Sequence, residues 1–314
     1  PVAVTALSAE LIEQRNLNNL EQIAASTPQL IIGRAAVGSG AVMVMRGIGS
    51  NAVSVSIEQS VATIVDGAYY GQGRIINEGF FDLQQAEILK GPQALFFGKN
   101  ATAGVISLTT ASPKDRAEYI ARAGYEFRAQ EMVGEVIASG PITETFGARL
   151  AVRGSKMFGG LFDNKADSTT VYRTTNSATG VVTTHPLSPT SRELPGTEAL
   201  TARLTLKWEP TDDLKVNFKA SGDINENNDP AWNWVLFNCP TGASARNPNV
   251  PCGKKFNVYH TGIPQVIAEP TSYTDDGKLY NRYRSFQTTT NIEYDLDNIA
   301  LTAMFNYNWN QNKY

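Results

Sequence analysis

The sequence predicts a mainly β protein, in which a small mixed α/β domain is followed by about seven antiparallel strands that begin a transmembrane β-barrel. The first part alternates short β-branched runs with glycine turns, and the second part contains long segments of alternating apolar and polar residues. The 314 residues contain no apolar run near eighteen residues, so only a closed barrel remains as a way to cross a bilayer. We place the boundary after Pro113, which gives domains 1–113 and 114–314.

The chain opens with two predicted helices. Ser8 precedes the apolar pattern as an N-cap, and Asn18, with Glu21 three positions later, is the expected cap of the second helix. Thr27–Pro28 ends that helix, because the residue before a proline disfavours the α region. This segment lacks the basic start and continuous apolar core of a signal peptide, so we expect the signal peptide to lie upstream of Pro1.

The segment from Val61 to Thr110 predicts a tightly turned sheet. Ala62–Val65 is a strand closed by the turn dipeptide Asp66–Gly67, and Ala86–Lys90 is a second strand stopped by Gly91–Pro92. After a further glycine turn, Val105–Thr110 resumes a strand. The runs are four to six residues long, which favours short strands over helices.

Beyond Pro113 the period-two pattern predicts seven strands. The clearest sets Leu200, Leu204 and their alternate neighbours on one face against Thr201 and Arg203 on the other. A length of about ten residues suits a tilted bilayer crossing, whereas strands of a soluble sandwich, the alternative, are nearer five or six. The predicted strands are Tyr119–Phe127, Glu131–Ser139, Arg149–Arg153, Leu200–Trp208, Leu214–Ser221, Phe286–Leu296 and Leu301–Trp309.

The lengths of the connections predict an orientation. Connections after the second, fourth and sixth strands are short, and those after the third and fifth are long, near Met157–Glu198 and Ile224–Arg282. Outer-membrane barrels have short periplasmic turns and long outer loops, so the odd strands should run outward. A barrel that surrounds a domain of this size has about twenty-two strands, and we expect roughly fifteen more beyond Tyr314.

Composition and the rare residues limit the chemistry. A net charge of −3 with 18% charged residues leaves no basic footprint for nucleic acid. Cys239 and Cys252 fall thirteen positions apart in the second long loop and predict a local disulfide worth about 3 kcal/mol. His185 and His260 lie in separate loops, and we assign neither a role; no metal site is predicted.

The N-terminal part contains five short motifs in order, Met45–Gly49, Ile64–Gly67, Glu87–Pro92, Leu95–Gly98 and Gly104–Ser107. Together they resemble the plug domain of TonB-dependent outer-membrane receptors. The resemblance implies a monomer in the bacterial outer membrane that takes up a scarce solute, without catalysis and without a cofactor of its own. It implies as partners a small-molecule ligand, membrane lipid, and TonB with its inner-membrane energising complex, which would bind a segment upstream of Pro1.

The same resemblance implies two sets of site residues. Plug arginines of the family pair with carboxylates on the barrel wall, which makes Arg46, Glu87 and Lys90 the candidate lock; lysine replaces the usual arginine and lacks its bidentate fork. Plug loops that point outward form the floor of the ligand site, and outer loops form its walls. The candidate ligand residues are Asn51, Tyr69, Tyr70, Gln72 and Arg74 in the plug, with Trp232 and Trp234 in the long loop.

The leading hypothesis is energised uptake of a ferric siderophore or a similar iron complex. The same class of transporter for saccharides or other small organic molecules is the first alternative. Alternatives from other classes are a passive porin-like barrel, which has no need of the plug motifs, and a surface-bound glycan-degrading enzyme. Such an enzyme requires two carboxyl groups about 5–10 Å apart, a geometry that the sequence cannot supply. The sequence also contains none of the GxSxG or HExxH motifs of other hydrolases.

Overall fold

The computed structural model describes most of the chain. The described ranges are 3–34, 40–50, 58–165, 171–187, 192–228, 256–258, 261–264, 268–269, 274, 277–296 and 298–313.

In its described residues, the N-terminal domain contains short strands, as the turn-rich sequence predicts, and three short helices. None of the described helices has the length and hydropathy that a membrane span requires. The elements are β1 (Ala3–Ser8), α1 (Ala9–Gln14), α2 (Leu20–Ala25), β2 (Leu30–Arg34), β3 (Ala41–Met45), β4 (Ile48–Gly49), β5 (Val61–Val65), β6 (Ala68–Tyr70), a 3₁₀ turn (Gly73–Asn77), β7 (Leu83–Lys90), α3 (Ala94–Phe97) and β8 (Gly104–Thr110).

The helix caps confirm one sequence prediction and correct another. Ser8 caps α1 as predicted. The second cap is Asn19 and not Asn18: the Asn19 side chain accepts a hydrogen bond from the Gln22 amide at 2.8 Å. Burial of Leu20 against the core sets where α2 begins, so the cap falls on the residue directly before it. Asn18 instead donates its backbone amide to Gln22 Oε1 at 2.7 Å.

The described strands of this domain form two sheets. The larger has the order β1-β7-β8-β5-β6, in which β5 and β8 run parallel and the other pairs are antiparallel. The smaller is the antiparallel sheet β2-β3-β4. Leu20, Ile23, Met43, Ile76 and Ile88 belong to the hydrophobic core between the helices and the sheets.

The seven predicted strands form one antiparallel sheet, which we call the wall. Its order, β20-β19-β17-β16-β11-β10-β9, follows the chain, so each strand pairs with the next long one. The strands are 9 to 17 residues long, in keeping with the predicted span length. They are β9 (Glu118–Glu126), β10 (Glu131–Pro141), β11 (Phe146–Met157), β16 (Gly196–Trp208), β17 (Leu214–Asn228), β19 (Tyr280–Leu296) and β20 (Ile299–Lys313).

The long connection between β11 and β16 contains structure that its composition did not predict. Four short strands lie there, and two of them form the hairpin β13-β14. The others pair with a strand from the second long connection, in the order β15-β12-β18. These strands are β12 (Phe162–Asn164), β13 (Val171–Thr175), β14 (Val182–Pro186), β15 (Glu193–Leu194) and β18 (Phe256–Val258).

The wall buries its polar face. Thr201, Arg203 and Thr205 on β16 are buried against the N-terminal domain, whereas Leu200 and Leu204 of the same strand are exposed on the opposite side. A soluble sheet would cover its apolar face and leave the polar face in water. The arrangement therefore presents an apolar outer surface and a charged inner surface on which the N-terminal domain is seated.

Candidate functional site between the N-terminal domain and the wall

The two tyrosines of the predicted ligand segment differ in their exposure to solvent. Tyr70 belongs to the buried core, and burial together with the nearby charge of Glu78 raises the pKa of its hydroxyl well above the ordinary value. Tyr69 is partly exposed, and its hydroxyl accepts a hydrogen bond from Asn100 at 2.6 Å. Gln72 is exposed at the start of the 3₁₀ turn. Tyr69 and Gln72 thus face solvent, and Tyr70 supports the segment from beneath.

Arg74 lies in the 3₁₀ turn and faces the C-terminal half of β20. Its Nη1 is 3.5 Å from Asn310 Oδ1, and its buried Nε has no hydrogen-bond partner among the described residues. The Oε1 of Gln59, which is also buried beside Gly73, has no partner in the described part either. Buried polar atoms without partners are costly, so this position favours a polar molecule that completes their hydrogen bonds.

Several predicted site residues lie outside the described residues. These are Asn51, Trp232, Trp234, Cys239 and Cys252, so their ligand and disulfide roles stay predictions. Within the described ranges, no three His, Cys, Asp or Glu side chains come together as a metal site.

The predicted lock residues make their described contacts inside the N-terminal domain. Arg46 occupies a left-handed turn (φ 51°), and its Nε donates to Gln29 Oε1 at 3.3 Å. Glu87 accepts a hydrogen bond from Gln85 at 2.8 Å, and Lys90 is buried at the end of β7. No hydrogen bond or ion pair joins Arg46, Glu87 or Lys90 to the described strands of the wall. Their role as a lock stays a prediction.

A different segment, residues 77–82, connects the domain to the wall, and we call it the clasp. At its first residue, the Asn77 carbonyl accepts a hydrogen bond from Asn225 Nδ2 on β17 at 3.1 Å. The next residue, Glu78, is buried and accepts a hydrogen bond from the Tyr283 hydroxyl on β19 at 2.7 Å. The beginning of the clasp is therefore fixed to two neighbouring wall strands.

The middle of the clasp crosses to the adjacent strand. The Gly79 amide donates to Asp223 Oδ1 on β17 at 3.0 Å, and the same oxygen accepts from the Thr201 hydroxyl on β16. Arg203 of β16 donates from Nη1 to the Phe81 carbonyl at 3.0 Å, and its guanidinium lies 5.4 Å from the centre of the Phe81 ring. A glycine at position 79 is needed because a Cβ there would lie 2.7 Å from Thr201 Oγ1.

The clasp ends in a buried ion pair. Arg149 of β11 donates to both oxygens of Asp82, from Nε at 2.8 Å and from Nη2 at 2.6 Å. Its remaining Nη1 is 2.9 Å from Glu118 Oε2 on β9. The two partners of the main pair are only 5% and 6% exposed. In this bidentate geometry two parallel, charge-assisted hydrogen bonds join the guanidinium to the carboxylate, which makes the pair stronger and more specific than a single neutral hydrogen bond.

A second ion pair lies near the turn that follows β5. Asp66 accepts hydrogen bonds from the backbone and hydroxyl of Thr110 at 2.9 and 2.8 Å, and Lys219 Nζ of β17 is 2.6 Å from Asp66 Oδ1. Lys219 also donates to the Thr110 carbonyl at 3.1 Å. Here too the acid belongs to the N-terminal domain and the cation to the wall.

In these two ion pairs the N-terminal domain supplies the carboxylate and the wall supplies the cation. The predicted lock, in which Arg46 and Lys90 are cations of the domain, stays a separate prediction. Sequence reasoning looked for cations on the domain and missed Asp66 and Asp82, because it assigned the first to a turn and gave the second no role. One signal was present: Arg149 and Lys219 stand in the middle of polar strand faces, where a buried cation requires a carboxylate partner. The sequence holds no information on which carboxylate that is.

Comparisons with known proteins agree with this architecture. The family model "TonB-dependent Receptor Plug Domain" matches residues 1–105. A curated protein named "Hemin receptor" from Yersinia pestis is 27% identical over 139 residues, which is 43% of this chain and 19% of that protein.

Solved structures show the same fold over nearly the whole chain. The ferric yersiniabactin uptake receptor FyuA from Yersinia pestis has a TM-score of 0.65 at 19% identity and covers 99% of this chain. A mutant of the ferric enterobactin receptor PfeA from Pseudomonas aeruginosa has a TM-score of 0.58 at 17% identity and covers 98%. The chain spans 41% of each of those two structures, so it corresponds to less than half of either protein.

Proposed function

We propose that this chain, whose residues 1–105 match the model of the TonB-dependent receptor plug domain and whose fold resembles that of solved uptake receptors, belongs to a transporter that takes up a scarce solute across the bacterial outer membrane. The observation that carries the proposal is a plug held against the charged inner face of an antiparallel wall by Asp66 and the clasp. The plug ends near Pro113 and the wall begins at Lys114. The function is transport without catalysis.

The outer face of the wall supports a membrane location. Near the short turns, an open groove of about 400 Å³ is lined by apolar side chains, two of them phenylalanines and one a tryptophan. An apolar band with aromatic residues at its border is the surface that an outer-membrane barrel presents to lipid. The lining residues are Phe146, Leu206, Trp208, Val216 and Phe218.

The plug requires an energised partner. Two buried ion pairs hold the plug against the inner face of the wall, so a solute can pass only if work is done to move the plug. We propose TonB with its inner-membrane complex as the source of that work, acting on the monomeric receptor through a segment upstream of Pro1. Uptake that continues without the motor would contradict this and favour a passive porin-like channel.

The proposed solute is a ferric siderophore or a similar iron complex. The named ligands of the similar receptors, hemin, ferric yersiniabactin and ferric enterobactin, support an iron complex. In this chain, Arg74 offers a fixed cation and a buried free Nε to an anionic group, and Gln72 an exposed amide. Asn51, Tyr69, Tyr70, Trp232 and Trp234 complete the proposed site.

A saccharide is the second candidate solute. Alternate residues of β20, Asn308, Asn310 and Asn312, are half-buried while their neighbours along the strand are exposed, so they share the inner face. Amides that both donate and accept hydrogen bonds suit neutral hydroxyl groups. Arg74, which contacts Asn310 in the middle of this row, favours the anionic iron complex over the neutral sugar.

Binding to the purified full-length receptor tests the site. We expect Arg74→Ala to weaken binding of a ferric hydroxamate, ferric catecholate or haemin probe by about tenfold, the loss of one charged hydrogen bond. Gln72→Ala should add a smaller loss, and Tyr70→Phe removes the hydroxyl while keeping the core filled. Arg116→Ala, at an exposed position beyond the plug sheet, is the matched control and should bind normally.

The outcomes separate the hypotheses. Unchanged affinity of the folded Arg74→Ala variant for every iron probe would refute the site. Binding of neutral oligosaccharides in place of iron complexes would favour the saccharide transporter.

A further inference from the structure

Two carboxyl groups are buried together where the clasp meets the wall. Glu78 of the plug is 3% exposed and Asp223 of β17 is 5% exposed. A backbone hydrogen bond holds them close together: the amide of Gly79, the residue after Glu78, donates to Asp223 Oδ1 at 3.0 Å. No role was assigned to either residue from the sequence.

The groups around the pair come from three elements, β19, β16 and β6. From β19, the Tyr283 hydroxyl donates to Glu78 Oε1 at 2.7 Å, with Ser285 also beside that carboxyl. From β16, the Thr201 hydroxyl donates to Asp223, and Arg203 acts on both carboxyl groups. From the plug, Tyr70 lies close enough for the charge of Glu78 to act on its hydroxyl.

The two carboxyl groups Glu78 and Asp223 are not each matched by a cation of their own among the described residues. Asp66 is matched by Lys219, and Asp82 by Arg149. Among the residues that the structure describes, Arg203 is then the cation left to act on both Glu78 and Asp223. Its guanidinium is already engaged by the carbonyl and ring of Phe81.

Two carboxylates that share a buried site and one occupied cation cannot both ionise at low cost, so one of them holds a proton. Burial, and then the charge of Asp223, raise the pKa of the plug carboxyl, Glu78, to about 8. The hydrogen bond from Tyr283 acts in the opposite direction, but it does not outweigh them.

We propose that Glu78 and Asp223 form a proton-binding site that latches the plug to the wall, and that loss of the proton loosens the clasp. With the proton present, the pair carries one negative charge opposite Arg203. Without it, two like charges face each other across the contact between the plug and β17. This repulsion destabilises the docked position of the clasp, which connects the 3₁₀ turn to β7.

The direction of the pH dependence follows from the raised pKa. A released clasp returns Glu78 to water, where its pKa is near 4.5. The docked clasp therefore binds a proton more tightly than the released one, and docking is strongest at low pH. It weakens by up to tenfold per pH unit between about pH 4.5 and about pH 8, and it is constant outside that window.

Hydrogen–deuterium exchange of the full-length receptor tests the latch. After correction for the intrinsic pH dependence of exchange, opening of the clasp peptide should rise more than tenfold from about pH 5 to about pH 8 in the wild type. Glu78→Gln should abolish the rise, and Asp223→Asn should reduce it. Glu58→Gln is the matched control, since that plug carboxylate pairs with Lys99 at the surface and should leave the rise intact.

Infrared spectroscopy of the wild type tests for the bound proton directly, even if a variant fails to assemble. With isotope-labelled glutamate, a protonated carboxyl band should be present near neutral pH and disappear as the clasp opens. A clasp whose exchange is independent of pH, a Glu78→Gln variant with the wild-type slope, or only ionised glutamate near neutral pH would each overturn the proposal. None of these readings depends on the solute, so they stand apart from the proposed iron-complex uptake.

Discussion

The pair formed by Asp82 and Arg149 provides the sharpest test of how the plug is held. The perturbation is Asp82→Asn, which keeps the size of the side chain but removes its charge and one acceptor. Both partners are nearly fully buried and joined by two hydrogen bonds of 2.8 and 2.6 Å. Removing one partner of a buried pair costs about 3–5 kcal/mol, because the other charge is left without compensation.

The remaining contact of Arg149 sets the expected value within that range. Glu118 stays 2.9 Å from Nη1 and is itself partly exposed, so the orphaned guanidinium keeps one carboxylate. We therefore expect about 3 kcal/mol, the lower end of the range. Arg149→Lys should cost nearly as much, because an ammonium group cannot reproduce the two parallel hydrogen bonds.

The assay is a double-mutant cycle on the full-length receptor in detergent. Guanidinium-induced release of the plug would be followed for the wild type, Asp82→Asn, Arg149→Gln and the double variant, and the coupling energy calculated. Lys156 and Glu198 form the control pair at 3.0 Å on the wall, where the side chains are 53% and 61% exposed. That pair should give a coupling of at most about 0.5 kcal/mol. A coupling that small for Asp82 and Arg149 would refute the reasoning.

Two further substitutions test the clasp and the outer face. Gly79→Ala brings a Cβ to 2.7 Å from Thr201 Oγ1, so it should destabilise docking of the plug by about 1–3 kcal/mol. Adding Thr201→Ala should recover part of that loss. A Gly79→Ala receptor as stable as the wild type would show that the contact is not tight. Gly33→Ala, where a Cβ would meet nothing within 4 Å, is the control. Leu204→Arg on the exposed outer face of β16 should cost about 2–4 kcal/mol and reduce assembly into the outer membrane, whereas Leu296→Arg beside a short turn should cost about 0–1 kcal/mol. Equal assembly of the two arginine variants would contradict a lipid-facing surface.

The strands of the wall could be predicted because their signal is local. Alternation in Leu200–Trp208 specifies two faces without knowledge of any other residue, and the structure shows those two faces. The short turns at Glu209–Asp213 and between β19 and β20 likewise follow from local composition. The cap at Asn19 was missed by one residue, because tertiary burial of Leu20 decides where the helix starts.

The plug–wall contacts could not be predicted, because they depend on register between distant segments. Asp82 and Arg149 are 67 positions apart, and Glu78 and Tyr283 are 205 apart. A sequence shows that Arg149 needs a carboxylate but not that Asp82 supplies it. Composition also did not predict strands in the connection after β11, where β12 to β15 have polar sequences and short pairings.

The order of residues along the chain links the proposed solute site to the proposed latch. Arg74 and the first residue of the clasp, Asn77, are separated by Ile75 and Ile76, and both isoleucines are fully buried in the plug core. Buried side chains at close packing leave little room to absorb a displacement, so a shift of Arg74 cannot be lost within those two residues. It must pass to Asn77 and Glu78, whose hydrogen bonds to β17 and β19 then lengthen or break. If the solute binds Arg74 as proposed and pulls it toward Asn310, it acts on the same contacts that the proposed shared proton strengthens, because only four peptide bonds separate Arg74 from Glu78.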